Sequence, residues 1–441
     1  MNSRLRSKEA APASAAMGTL RMLLAPSPRM GPMDVGLAAL VTALIGFGVV
    51  MVYSASAVEA TVVFRDPQYF LKRQVLYGAA AVVSMLVISR IDYHKLRPFT
   101  YPLLGLVTFL MVLSVIGFGH TGGGAARWLR LGGIQMQPSE AAKIALVLWL
   151  AYSLAKKQEK VKSFSVGMLP HLLMVGTLML LCLKQPDFGG AAVLLFLTFT
   201  LLFAAGARLG YLLGVAIAAL GVAAYLVNSA DYRRARWLAW LEMDVHRQDL
   251  AFQPFQSVMS FGSGQLTGLG LGNGYQVLYL PEAHTDFVAA IIGEELGFVA
   301  ILGLCVVYLV IVARGVRAAL VADDEYGAYI AFGIAILFGV QALVNLAVAM
   351  AMLPTKGLTL PFVSYGGSSL VTSAMAMGIL LNVSRPRVTG NTRSSAQGAD
   401  KPEASAFVVS EAGFAPPAQA CVASPGRSQA PREDAALEGV A

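Results

Sequence analysis

Ten apolar runs of about 17 to 27 residues recur along most of this 441-residue chain. Roughly 20 apolar residues in a helix are enough to cross the hydrocarbon layer of a membrane, which is about 30 Å thick. Lipid offers backbone amides no hydrogen-bond partner, so each run is predicted to form an α-helix. The runs cover residues 34–55, 75–91, 100–118, 139–155, 167–184, 190–206, 209–228, 288–313, 326–352 and 366–383. The sequence therefore predicts an all-α polytopic membrane protein with about ten transmembrane helices.

The composition agrees with this fold class, since 56% of the residues are hydrophobic and 13% are charged. A single water-soluble core could not bury so much apolar surface. The net charge of +8 could indicate nucleic-acid binding, but the cations are spread over many loops without forming a basic domain. We therefore predict no nucleic-acid partner. The three cysteines lie far apart in the sequence and form neither a disulfide framework nor a zinc motif.

Lysine and arginine residues near the ends of the runs predict the orientation, because such residues concentrate on the cytoplasmic side of a membrane. They are more numerous on the side that holds the N-terminal tail, so both termini are predicted to be cytoplasmic. The long loop 229–287, between the seventh and eighth helices, is then periplasmic. Segments 1–33 and 386–441 are rich in Ala, Ser, Pro, Gly and charge, and they are predicted to be disordered tails around a membrane domain at 34–385.

Ionisable residues gather in the outer half of the predicted bundle. A charge at the membrane centre costs on the order of 2.5 to 3.5 kcal/mol on insertion scales, so such groups pair with one another or line a wet cavity. Glu140 and Lys143 are spaced for an ion pair, which could also be purely structural. Ionisable residues from several other helices are predicted at the same depth as Glu140 and Lys143, which favours a cavity shared by all of them. The set consists of Glu140, Lys143, Asp187, Asp286, Glu294 and Glu295.

Several of these residues have a simpler interpretation. Asp286 stands just before an apolar run, where a carboxylate can cap a helix, and the local sequence alone favours that role. His284 can be an ordinary loop residue at a wet surface. Gln341 and Asn345, four residues apart in the ninth run, are typical of hydrogen bonding between packed helices.

The segment LPTKGLTLPFVSYGGSS at 353–369 contains two prolines that exclude a continuous helix, so it must be buried in protein or line water. It resembles the signature of the SEDS family of peptidoglycan glycosyltransferases. The resemblance extends over about residues 34–385 and is closer to the division-type than to the elongation-type members. Three further blocks agree in the same order: GGIQMQPSEAAK at 132–143, KQPDFG at 184–189 and LPEAHTDFVAAIIGEELG at 280–297.

The resemblance implies polymerisation of lipid II at the outer membrane face, with formation of β-1,4 bonds and release of undecaprenyl pyrophosphate. It also implies that Asp286 is the catalytic carboxylate, which overrides the local preference for a helix cap. The further positions that it implies for substrate binding or for the cavity are Arg127, Trp128, Glu140, Lys143, Asp187, His284, Lys356 and Ser364.

Transfer from a sugar pyrophosphate needs a base for the acceptor hydroxyl and positive charge for the leaving group. Asp286 is the predicted base. Arg127, Lys143 or a divalent cation, Mg or Mn, held by carboxylates is predicted to stabilise the departing pyrophosphate. The resemblance implies a class B penicillin-binding transpeptidase of the FtsI type as partner, together with other division proteins, at the septum of the cytoplasmic (inner) membrane.

Other functions suit the same sequence. Ten spans with buried charges are also typical of a transporter or lipid II flippase, and a non-catalytic division scaffold or an elongation-type polymerase is a further alternative. A flippase would need polar groups through both halves of the membrane, whereas here they crowd the outer half. Residues 272–281, GNGYQVLYLP, depart from many relatives, so a divergent paralogue is also considered.

Overall fold

The computed structural model describes residues 31–122, 125–131, 134–229, 231–355 and 357–386. Within these ranges the chain forms twelve α-helices. They are α1 Val35–Phe64, α2 Tyr69–Ile88, α3 Thr100–Leu113, α4 Pro138–Lys156, α5 Leu169–Lys184, α6 Phe188–Ala204, α7 Leu209–Asn228, α8 Asp231–Leu241, α9 Phe252–Gly264, α10 Val288–Leu320, α11 Glu325–Ala349 and α12 Gly367–Val383.

Ten of these helices, all except α8 and α9, correspond to the ten predicted runs, with boundaries that differ by up to nine residues. By length and composition, seven helical stretches in the described ranges are long and apolar enough to cross a membrane, and α6 and α12 are shorter apolar helices. The prediction of a helical polytopic membrane protein is confirmed. The side of the membrane that each end of the bundle faces stays a prediction. The predicted tails lie outside the described residues, except for 31–33 and 386.

The predicted boundaries are least accurate between the first two runs. Helix α1 continues to Phe64, beyond the predicted end at residue 55, and α2 begins at Tyr69 rather than at residue 75. The extra turns of α1 contain Ser56 and Glu59, whose polarity ends the apolar pattern without ending the helix. Ser56 is fully buried in the bundle.

Helix α11 lies at the centre of the bundle, where it contacts α4, α6, α10 and α12. Ile330, Ile334 and Phe338 on α11 are completely buried, as expected for a helix surrounded by others. Helix α7 is the opposite case, because Leu212 is its one buried residue. Such a helix can present nearly its whole surface to lipid.

A small antiparallel sheet occupies the glycine-rich connection between α3 and α4, where the sequence analysis predicts no strand. Its strands are β1 His120–Gly122, β2 Ala125–Leu131 and β3 Ile134–Met136, in the order β1-β2-β3. Leu129 pairs with Met136 and Arg130 pairs with Gln135. The sheet fixes the backbone on either side of Arg127 and Trp128, two predicted site residues.

The long loop before α10 is bonded to that helix at a break. Gly297 has φ 76°, which interrupts the helical hydrogen bonds of α10. The amides of Leu269 and Gly270 donate to the carbonyls of Glu294 and Glu295, at 3.0 and 2.9 Å. A β-carbon at Gly268 would lie 2.2 Å from the carbonyl oxygen of Glu295, so this close approach requires glycine. The glycines of the loop therefore anchor it to α10.

Candidate active site

A cavity of about 420 Å³ opens at one end of the bundle, between the residues before α10, the small sheet and the segment 355–369. Four predicted site residues line it: Arg127, Trp128, His284 and Asp286. The rest of its wall is mostly polar. These further lining residues include Arg73, Tyr77, Gln135, Gln137, Arg236, Gln253, Glu282, Thr285, Thr355, Gly357, Thr359, Tyr365, Ser368 and Ser369.

Asp286 lies in the turn that precedes α10. The helix begins at Val288, and its cap position is Phe287, without a capping hydrogen bond from a side chain. The local interpretation of Asp286 as a helix cap is therefore wrong. The amide of Asp286 donates to the carbonyl of Glu282, at 3.2 Å, so the turn itself holds its backbone. Its carboxyl is left to face the cavity, as the family resemblance implied.

The surroundings of Asp286 favour its protonated form. Burial is the main cause, and the negative charge of Glu282 adds to it, so that the pKa of Asp286 rises to about 7 although Arg127 and Arg236 oppose the shift. A carboxyl with a pKa near neutral can accept and release a proton at physiological pH. Asp286 is thus suited to general base catalysis.

Arg127 is held in a fixed orientation beside Asp286. Its Nε donates to the carbonyl of Gln185 at 3.0 Å, and Nη2 donates to the carbonyl of Pro186 at 2.6 Å. A β-carbon placed on Gly357 would be 3.0 Å from Oδ2 of Asp286 and 3.7 Å from Nη1 of Arg127. The carboxyl and the guanidinium group therefore flank the same glycine in the cavity wall.

Two further arginines of the cavity were not among the predicted site residues. They are Arg73, on α2, and Arg236, on α8. Nε1 of Trp240, also on α8, donates to the carbonyl of Ala351 at 2.8 Å. The contact fastens α8 near the segment that follows α11. The side chain of Arg236 faces the cavity because of this packing, which the sequence alone does not reveal.

Glu140 and Lys143 form the ion pair that their spacing predicts, with 2.7 Å between Nζ and Oε1. Lys143 is buried, with 1% of its surface exposed. Neither residue lines the cavity, but the hydroxyl of Ser369, which does, donates to Oε2 of Glu140 at 3.4 Å. The pair thus lies directly behind the cavity wall, and a role in substrate binding stays a prediction.

Asp187 is buried and lies outside the cavity lining. Its carboxylate caps α6 by accepting from the amide of Gly190 at 2.8 Å, and it accepts from the hydroxyl of Ser139 at 3.0 Å. These bonds join α4 to α6 just beyond the carbonyls that hold Arg127. Asp187 thus stabilises the backbone next to the two carbonyls that bind Arg127. A direct contact between Asp187 and substrate stays a prediction.

The other predicted positions have different surroundings. The ring of His284 packs against Phe70 and Tyr365, and its Nδ1 lies 3.3 Å from Oε2 of Glu59. Burial holds the pKa of His284 below its usual value, although Glu59 opposes this. The hydroxyl of Ser364 accepts from the amide of Leu360 at 2.8 Å and so stabilises a turn. Lys356 lies outside the described residues.

Glu294 and Glu295 are buried but lie away from the cavity lining. Glu294 accepts hydrogen bonds from the amides of Tyr275 and Gln276, at 2.9 and 3.2 Å. Glu295 accepts from the hydroxyl of Ser54 at 2.7 Å. These carboxylates therefore hold the long loop and α1 against α10. Of the six ionisable residues predicted to share a cavity, Asp286 alone lines it.

The sequence predicts Mg²⁺ or Mn²⁺ held by carboxylates at this site. In the described ranges no group of three or more His, Cys, Asp and Glu side chains is placed to hold one ion. Hard cations prefer several converging oxygen ligands, so the described residues do not fit a site built from protein carboxylates alone. The positive charge of this cavity comes from arginines, and a cation requirement stays a prediction.

Residues 36–388 match the model of the cell cycle protein family FtsW/RodA/SpoVE. The chain belongs to this family. It is the SEDS family that the sequence motifs resemble, so that prediction is confirmed. The chain is similar to the probable peptidoglycan glycosyltransferase FtsW of Geobacter metallireducens, with 48% identity over 353 residues, covering 80% of this chain and 94% of that protein. It is also similar to stage V sporulation protein E of Bacillus subtilis, with 40% identity over 344 residues, covering 78% and 94%.

Solved structures of family members have the same fold. A chain from a peptidoglycan synthase complex, described as coordinating polymerization and crosslinking, matches with a TM-score of 0.67 and 31% identity over 80% of this chain and 98% of that chain. The rod shape determining protein RodA of Thermus thermophilus matches with a TM-score of 0.58 and 30% identity over 81% and 98%. Both matches cover nearly the full length of the solved chains.

Proposed function

We propose that this protein is a peptidoglycan glycosyltransferase that polymerises lipid II into β-1,4-linked glycan strands during septal wall synthesis. The observation that carries the proposal is that Asp286 and Arg127 line one cavity, on either side of Gly357. Burial there raises the pKa of Asp286 to about 7. A base and a cation at such proximity are what glycosyl transfer from a pyrophosphate requires. The relatives named peptidoglycan glycosyltransferase support the same activity.

In the proposed reaction a hydroxyl of the acceptor sugar attacks the anomeric carbon of the donor. The carbon–oxygen bond to the pyrophosphate breaks as the new glycosidic bond forms, and the acceptor proton passes to the carboxylate of Asp286. The electron pair of the broken bond leaves with undecaprenyl pyrophosphate. Arg73, Arg127 and Arg236 line the same cavity and supply positive charge for that leaving group.

A division role is supported by the degree of similarity. The chain is 48% identical to the FtsW of Geobacter metallireducens and 30% identical to the RodA of Thermus thermophilus. We infer a class B penicillin-binding transpeptidase of the FtsI type as partner, because a structural relative belongs to a complex that couples polymerization with crosslinking. The cavity would then face the periplasm at the septum of the inner membrane, with other division proteins nearby.

The test uses the purified full-length protein with its transpeptidase partner and fluorescent lipid II. We expect glycan polymers that a muramidase digests to disaccharide units. Transfer of lipid II between the leaflets of vesicles without polymer would indicate a flippase instead. Neither activity, with the partner complex intact, would indicate a scaffold. Either of these two results would contradict the proposal.

A further inference from the structure

One buried amide joins the two segments that form the cavity wall around Asp286. Asn345, on the central helix α11, has 1% of its surface exposed. Its Nδ2 donates to the backbone carbonyl of Asp286 at 3.0 Å and to the backbone carbonyl of Leu358 at 2.6 Å. Both protons of the amide nitrogen are thus used. The sequence predicted only helix packing for this residue, and these bonds instead reach the candidate active site.

The orientation of the amide follows from its partners. A flipped side chain would place Oδ1 against two carbonyl oxygens, which cannot donate. In the actual orientation, Oδ1 is buried without a hydrogen-bond partner among the described residues. A buried acceptor without a partner opposes folding. The Oδ1 atom of Asn345 therefore lacks a hydrogen bond in the orientation that lets Nδ2 bind two backbone carbonyls.

The bond to Leu358 bears directly on the Asp286 carboxyl. Gly357, the residue before Leu358, is so near that a β-carbon on it would lie 3.0 Å from Oδ2 of Asp286. A second tie joins the same two segments, since the amide of Tyr365 donates to the carbonyl of His284 at 2.9 Å. Asn345 binds the segment at Leu358, close to the Asp286 carboxyl, and the hydrogen bond of Tyr365 binds the same segment further along the chain.

We propose that Asn345 is a positioning residue for catalysis, which sets the Asp286 carboxyl against the Gly357–Leu358 backbone by hydrogen bonding to both segments. The inference rests on the proposed function for its kinetic consequence. Asn345 does not line the cavity, so its effect on the reaction is exerted through Asp286. Small displacements of a reacting group have large effects on rate, while substrate affinity depends on the rest of the cavity.

The test compares Asn345→Leu and Asn345→Ala with the wild-type protein in its partner complex. Both variants remove the donors, and the alanine variant leaves space should leucine hinder folding. We expect kcat to fall by about tenfold to a hundredfold and KM for lipid II to change by less than about threefold. We also expect faster backbone hydrogen exchange in 282–287 and 357–360. Gln341→Leu is the control, because Gln341 is also buried, one turn earlier on α11, and should leave both readouts unchanged.

Wild-type kcat in a folded Asn345 variant would overturn the inference. So would equal losses in the Gln341 and Asn345 variants, which would indicate packing alone. If the wild-type protein makes no polymer, the proposed function fails, and hydrogen exchange still tests the contact. Unchanged exchange in both segments would then exclude Asn345 as the tie.

Discussion

Asp286 and Gly357 approach so closely that a β-carbon at position 357 would lie 3.0 Å from Oδ2 of the aspartate. A side chain at this position would crowd the carboxyl, which favours glycine there. It brings a main-chain segment of the cavity wall next to the proposed base. The same position is 3.7 Å from Nη1 of Arg127, which is an ordinary contact, so a methyl group there would crowd the carboxyl and not the guanidinium group.

Gly357→Ala should therefore reduce the polymerisation rate by about tenfold to a hundredfold, because the carboxyl must move away from the new methyl group. Polymer formed from fluorescent lipid II measures the effect. The matched control is Gly262→Ala on α9, where a β-carbon would meet nothing within 4 Å. Equal rates for the Gly357 variant and the wild type would show that the carboxyl position is not critical.

Arg127 should be sensitive even to replacement by lysine. Lysine keeps the charge but cannot donate to the carbonyls of Gln185 and Pro186 with two nitrogens of one rigid group. We expect Arg127→Lys to lower kcat by about tenfold and Arg127→Ala by more, since charge on the leaving group is then less well stabilised. Arg130→Ala, an exposed position on the same strand, should retain activity. Normal kcat in Arg127→Ala would exclude the proposed role.

Asp187 should matter first for stability. Asp187→Ala removes the cap of α6 and the acceptor for Ser139, which together are expected to cost roughly 1 to 3 kcal/mol. Thermal unfolding of the purified protein in detergent should show a lower midpoint. Asp66→Ala removes a carboxylate whose ion pair with Lys72 is exposed, so it should change the midpoint little. The same midpoint for both variants would contradict the structural role of Asp187.

The polymerisation rate should depend on pH through Asp286. The base acts in its ionised form, and burial raises its pKa to about 7, so the rate should rise as pH increases through about 7 and fall below it. A pH profile of kcat/KM measures this value in the free enzyme. Kinetic pKa values near neutral are resolved between roughly pH 5.5 and 8.5. A profile that is flat over this range would contradict the role of Asp286 as the base.

Much of the fold could be predicted because transmembrane helices depend on local sequence. Each of the ten apolar runs corresponds to one helix of the bundle. The small sheet could not be predicted, because short glycine-rich strands have no apolar alternation. The break in α10 was also missed, since Gly297 takes a positive φ only where the loop from α9 supplies hydrogen bonds.

The candidate site was predicted in part. Asp286 and Arg127 came from motif resemblance, whereas the local pattern indicated a helix cap for Asp286. That pattern failed because α10 begins two residues later than the aspartate, after a turn closed by Glu282. Arg236 lines the cavity, and Asn345 binds the backbone of its wall, because of how α8 and α11 pack. Residue type and spacing in the sequence do not reveal these contacts.

Replacement of Asp286 by asparagine tests the central claim most directly. The amide cannot take the acceptor proton, so Asp286→Asn should form no detectable polymer from lipid II, whereas Asp66→Asn should match the wild type. The raised pKa of Asp286 means that its contribution to stability is fully present below its ordinary value of 3.8 and is lost as pH rises through about 7. The variant should therefore unfold at pH 8 no more easily than the wild type. Polymerisation by folded Asp286→Asn at the wild-type rate would contradict the account.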